Sequence, residues 1–204
     1  MLTSIAPVES YKDLFKYAEQ FMLVGKLSLS AVLIISFTSL VREMGKSLVE
    51  KLIFKNGLRF PTTEMLLWKT RLISKPQKEM LHRKILEDFE IELYDAEAER
   101  DDELEARLRA RDAVSAIRHH VGDGKFTLQY NIRYGFWRNL VGGLPLGLIL
   151  GASSLLCVES ELGRIISGVY LLVAIPLTVL GIPIIRSASL DYAHYLFTEY
   201  GGKK

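Results

Sequence analysis

Two long uncharged runs near the C-terminus constrain this chain most. Leu140–Val158 holds 19 residues and Ile165–Ile185 holds 21, with no Asp, Glu, Lys or Arg in either. A helix rises about 1.5 Å per residue, so each run reaches across about 30 Å of hydrocarbon. Only Glu159 to Arg164 separate them, which makes them antiparallel neighbours in a transmembrane helical hairpin. Gly143, Gly147 and Gly151 recur every fourth residue, with Gly142 at the start of the stripe and Ser154 close to it. Small residues at that spacing let two helix backbones approach closely. The stripe has two readings. It packs the hairpin against its own second helix near Gly168 and Gly181, or it packs subunit against subunit around an axis. Pro145, Pro176 and Pro183 each free a backbone carbonyl within these runs, which the hydrocarbon tolerates only where neighbours or water re-satisfy it.

The 204 residues are 49% hydrophobic yet 25% charged, the mixture of a charged helical part joined to a membrane part. A formal net charge of +2 selects no partner. Cys157 is the single cysteine, so one chain builds no disulfide framework. The first residues show no basic start followed by a small-residue cleavage site, and Glu9, Asp13 and Glu19 lie among their lysines.

Residues 9–25 read as an amphipathic helix through Leu14, Tyr17, Ala18 and Phe21. Leu27–Val41 is uncharged but short for a span. Counting back to Phe21 gives a full-length third span that includes Lys26, whose long stem lets its ammonium reach the interface. A buried helix of the soluble part is the competing reading, favoured by the hydroxyls of Ser28, Ser30, Ser36, Thr38 and Ser39. Residues 42–55 continue as a helix that Asn56-Gly57 stops. Pro61, with a threonine cap and Glu64 in the first turn, predicts a short helix. Ser74 with Gln77 predicts a capping box and a helix that buries Leu81, Ile85 and Phe89.

Residues 87–105 hold eleven acids against one base, Arg100, and Arg107, Arg109 and Arg111 follow. This reads as a solvated helix whose charges suit the helix dipole, or as one whose acidic half meets the arginines of another subunit. Its apolar stripe is Ala110, Val114, Ile117 and Val121, and Gly122-Asp123-Gly124 ends it. Tyr130, Tyr134, Phe136 and Trp137 crowd before the first uncharged run, at the level where amphipathic rings settle. Basic flanks against Glu159 and Glu161 in the loop place the central part and the C-terminus in the cytoplasm. Ser187–Tyr200 reads as a short terminal helix.

No phosphate loop, GxSxG, HExxH or CxxC occurs. His119 and His120 are adjacent and point about 100° apart on a helix, which suits a surface pair better than metal ligands. We therefore expect no catalytic residues, no cofactor and no metal. The feature closest to a ligand site is basic. Trp68, Lys69, Arg71, Lys75, Lys78, Arg83 and Lys84 gather six positive charges with only Glu79 among them. Such a cluster holds phosphates while the ring stacks a base, or lies on anionic lipid, or is a solvated face neutralised by the acidic segment.

Phe60-Pro61-Thr62-Thr63 with Leu66-Leu67-Trp68, Ala113-Val114 with Ile117-Arg118, and Tyr130-Asn131-Ile132 through Tyr134–Asn139 with Gly142-Gly143 resemble stretches of small prokaryotic membrane proteins. Among these are membrane effectors encoded beside nucleotidyltransferases in anti-phage defence systems, the Hailong-type channel effector included. The resemblance covers roughly residues 60–143. It implies a helical cytosolic part, two or three membrane helices in a bacterial inner membrane, and a channel role in defence, with a nucleotidyltransferase encoded nearby.

The expectation is thus an all-α integral membrane protein. Residues 1–41 form the N-terminal helix and third span, 42–139 the charged cytosolic domain, 140–186 the hairpin and 187–204 the cytosolic tail. A homo-oligomer contacting membrane lipids would form an ion-conducting pore, gated by a nucleotide or single-stranded oligonucleotide. Gly143, Gly147, Gly151 and Ser154 would pack it, with Glu159 and Glu161 at an acidic mouth. The alternative is a non-conducting adaptor that docks a partner protein through residues 87–111.

Overall fold

The computed structural model describes residues 8–122 and 124–202, with side chains from Met22 onward. Among the described residues every regular element is a helix: α1 Val8–Leu52, α2 Pro61–Leu66, α3 Lys75–Phe89, α4 Ala98–Asp101, α5 Glu103–Val121, α6 Lys125–Cys157 and α7 Glu161–Gly202. Three of them, α1 from Met22, α6 and α7, are long and apolar enough to cross a membrane. The chain divides at Val41/Arg42 into two compact units.

In the first unit, the apolar side chains from Met22 to Leu40 are each half or more exposed. No buried core competes for them, which removes the reading of 27–41 as a buried helix. The separate helices expected over 9–25, 27–41 and 42–55 are one helix. Lys26 and Arg42 change the environment a helix prefers but not its backbone angles, and no proline interrupts the sequence there. The side chains of the expected amphipathic helix up to Phe21 lie outside the described residues.

The second unit has a core in which α2, α3 and α5 pack around the C-terminal half of α7. Leu81 and Ile85 of α3, Ala113 and Ile117 of α5, and Ala193, Leu196 and Tyr200 of α7 are fully buried. Residues 187–200 are not a separate tail helix. They continue α7 without a break from its uncharged run, because Arg186 leaves the backbone free to stay helical. On the other side, α6 carries Lys125–Arg138 straight into its own uncharged run. The unit therefore takes in the segments 42–139, 140–186 and 187–204 together, with α6 and α7 running through their boundaries. Stacked Tyr130 and Tyr195, 4.0 Å between centroids, and the pair Arg133–Asp191 at 3.3 Å join the two helices below the runs. The Glu199 carboxylate accepts from the free N–H groups of Phe126 and Thr127, capping α6 from α7.

Within the hairpin the glycine stripe faces the chain's own second helix. A Cβ on Gly147 or Gly151 would strike Tyr170, and Ser154 Oγ bonds Ser167 Oγ at 2.8 Å. Gly181 faces Val141, whereas nothing approaches Gly168. Gly143 is half-buried. All three prolines sit inside unbroken helix.

Several local expectations are corrected. The acidic run is not one helix: α3 stops at Glu90 in a left-handed conformation, residues 90–97 are irregular, and α5 begins only at Glu103. A helix through 87–105 would set like charges at i, i+3 and i, i+4, and the irregular path lets Ile91, Leu93 and Tyr94 turn onto the core. Asp95 and Asp102 serve instead as acceptors for the N–H groups of helix starts. Neither Thr62 nor Thr63 caps α2, and Ser74 caps α3 without a side-chain bond. His82, which a helix pattern alone would set on the surface, is turned inward. It is half-buried, 4.9 Å edge-on to Trp68, with Nε2 2.8 Å from Leu66 O.

Candidate functional site

The basic segment does not converge on one site. It divides between a clamp around the turn after α2 and an exposed face of α3. In the clamp, Lys78 is 2% exposed and its ammonium donates to Leu67 O and, at 2.9 Å, to Thr70 O. Glu99, 3% exposed, accepts from the backbone N–H of Trp68 at 2.6 Å and Lys69 at 3.0 Å. Trp68 Nε1 donates to Tyr94 O at 2.9 Å. These bonds satisfy the carbonyls and amides that a six-residue helix leaves open at its end. Burial pushes the Lys78 ammonium below its ordinary pKa, opposed by the nearby Glu99 carboxylate.

The other cations are mostly paired. Lys69 pairs with Glu103, Lys84 with Asp88 at 3.3 Å, and Lys75 reaches Glu79 at 4.0 Å. Arg71 and Arg83 are exposed and make no ion pair among the described residues. Arg107 is buried and bridges Glu64 at 2.6 Å and Glu103 at 2.7 Å, while also donating to Leu58 O. Arg107 thus ties α5 to α2 within one chain.

The structure assembles a different polar site. A cavity of about 350 Å³ is walled by Glu50 at the end of α1, Gly57 and Phe60 before α2, Thr62 and Thr63 of α2, Arg111 to Arg118 of α5, Asn131, Tyr134 and Arg138 of α6, and Tyr192 of α7. Its volume falls at the low end of small-ligand pockets. Three arginines face it, and two of them have carboxylates beside them: Arg138 lies 3.2 Å from Glu50 and Arg111 3.6 Å from Asp112. Arg118 has no such partner among the described residues. Its guanidinium lies over the rings of Phe60 and Tyr192, 5.6 and 5.5 Å from their centroids, and the two rings meet each other edge-on at 6.4 Å. Thr62 Oγ1 is buried with no hydrogen bond, and the Tyr134 hydroxyl is buried with none of normal geometry. A second cavity of about 220 Å³ shares Arg118, Asn131 and Tyr192 and adds Thr127, another buried hydroxyl without a partner.

Sequence spacing hides this site because its walls come from five separated stretches. Residues of Phe60–Thr63, Val114 with Arg118, and Asn131 with Tyr134 and Arg138 nevertheless come together at one cavity. The loop acids stand apart. Glu159 and Glu161 are exposed at the far end of the hairpin, where Ser160 Oγ accepts from Gly163 N–H to start α7. No group of ligands able to hold a metal occurs among the described residues. No protein-family model, curated protein or solved structure matches this chain.

Proposed function

We propose that this chain is a non-enzymatic integral protein of a bacterial inner membrane. Copies assemble into an ion-conducting pore that an anionic ligand, such as a nucleotide or oligonucleotide, gates through the helical module, with anti-phage defence as the setting. One observation carries the reading: α6 and α7 each run unbroken from the core of the module into an uncharged run of bilayer length. Asn131, Tyr134, Arg138 and Tyr192 line the cavity on those same helices. A ligand that binds two module conformations unequally shifts the helices that cross the bilayer. A cyclic ring with its axis along the bilayer normal would set Glu159 and Glu161 at an acidic, cation-favouring mouth.

The test is mass by light scattering in detergent, then single-channel recording of the same sample. A discrete oligomer with unitary currents that respond to nucleotides supports the pore. A monomer that never conducts supports an adaptor instead. The exposed acids between Glu90 and Asp102 favour that second reading, since they offer an acidic face to a basic partner protein.

A further inference from the structure

We propose that the cavity around Arg118 binds one singly charged phosphate ester. The charge inventory sets the ligand class. Three guanidinium groups and two carboxylates line the space, and each carboxylate already lies beside one arginine. That leaves one uncompensated cation, Arg118, with neutral donors around it. Glu50 and Asp112 leave room for one phosphate only; a single phosphodiester, whether one linkage of an oligonucleotide or a lipid headgroup, matches the one free charge. Arg118 is exposed, and its guanidinium lies against the rings of Phe60 and Tyr192. A planar fork held in that way presents paired N–H donors to phosphate oxygens. Below it, Thr62 is 1% exposed and Tyr134 5% exposed. Thr62 Oγ1 is a buried polar group without a hydrogen bond, a rare and costly state, and the Tyr134 hydroxyl has only Arg138 beside it. An ester oxygen seated against Arg118 supplies both with an acceptor.

Two sources carry this chemistry, a lipid headgroup and a soluble phosphodiester. Position favours the lipid, an inference resting on the membrane reading above. Arg138 stands two residues before Leu140, and Tyr192 seven residues after Ile185, where the uncharged runs end. At about 1.5 Å per residue Arg138 lies about 3 Å beyond the uncharged runs, Tyr192 about 10 Å and Asn131 about 14 Å, so the near end of the cavity falls within a headgroup layer about 5–8 Å deep.

The experiment titrates the full chain in neutral detergent, so it does not depend on conduction. The probes are dihexanoyl phosphatidylglycerol, its zwitterionic phosphatidylcholine counterpart, a dinucleoside monophosphate and sodium sulfate. Saturable binding of phosphatidylglycerol over phosphatidylcholine, weakened about tenfold or more in Arg118→Gln and several-fold in Thr62→Val, establishes the site with a lipid source. The same loss with the dinucleotide alone establishes it with a soluble source. Arg83→Gln, on the exposed face of α3, keeps wild-type binding. If Arg118→Gln does not fold, Arg118→Lys and Thr62→Val decide, because the lysine keeps the charge and loses the fork. No binding of either ester, binding that sulfate displaces equally in wild type and variants, or binding indifferent to both positions overturns the proposal. A chain that conducts yet fails this titration loses the site and keeps the pore; one that binds and never conducts does the reverse.

Discussion

A Cβ placed on Gly142 of α6 would lie 2.1 Å from the Cα of Gly45 on α1, and one on Gly45 would lie 2.8 Å from Arg138 O. Two backbones touch at this point with no side chain between them, just above the Arg138–Glu50 pair. All three nearest neighbours of a Cβ on Gly142 are Gly45 backbone atoms, which no side-chain movement clears. Gly142→Ala should therefore destabilise the fold by about 1–3 kcal/mol, and Gly142→Val by more. Thermal unfolding of the detergent-solubilised protein, followed by circular dichroism, measures it. A Gly142→Val variant with the wild-type midpoint contradicts this packing.

The hairpin glycines should differ among themselves. Gly147 faces the hydroxyl end of Tyr170, a side chain that is 40% exposed and has room to swing, whereas buried Gly181 faces the branched side chain of Val141. Gly181→Ala should lower the unfolding midpoint clearly more than Gly147→Ala. Equal losses would mean that the stripe at Gly147 is held by something other than Tyr170, such as a second subunit.

The clamp after α2 should be fragile to the loss of either charge. Lys78→Met leaves Glu99 buried without its neighbouring cation and frees two carbonyls, and should cost about 3 kcal/mol or more. Glu99→Gln should cost less, since its amide oxygen still accepts from one N–H. Denaturant unfolding of the two variants gives the order, and the reverse order would sink the assignment.

Acid should weaken the fold in two steps. His82 Nε2 faces the Leu66 carbonyl, so it carries a proton and donates to it. Burial lowers its pKa below 6.5, opposed by the hydrogen bond to Leu66. The unfolded chain then takes up a proton that the folded chain refuses, and stability falls as pH drops below about 6.5 towards that lowered value. Glu103 is lowered to about 2 by its hydrogen bonds to Lys69 and Arg107. Its contribution is present above about 4.5 and lost between there and about pH 2. His82→Gln should flatten the first step and Glu103→Gln the second, read as unfolding midpoint against pH.

Much of the architecture is written in local pattern. Uncharged length marks Leu140–Val158 and Ile165–Ile185, and the stripe Ala110, Val114, Ile117 and Val121 marks the buried face of α5, where all four are buried. Charge runs mislead because they report solvent and not backbone. Arg42 and Arg186 interrupt hydropathy without interrupting a helix, while the acids after Glu87 abandon one. The basic segment failed to predict a site for a related reason: Lys78 is basic in sequence but is a buried donor to Leu67 and Thr70 in space. The Arg118 cavity is a product of tertiary packing. Thr62, Arg118 and Tyr134 have no shared spacing, and only the folded chain brings them to one cavity.

The central claim is that α6 and α7 cross a membrane and set the 158–160 turn opposite the module. Cys157, exposed at the end of α6, is the chain's single cysteine, so a membrane-impermeant maleimide applied to intact cells reads this directly. The account predicts labelling of Ser160→Cys in a Cys157→Ser background without permeabilisation, and labelling of exposed Ser115→Cys in that background only after it. Labelling of positions 160 and 115 under the same condition would place both ends of the hairpin on one side and contradict the account.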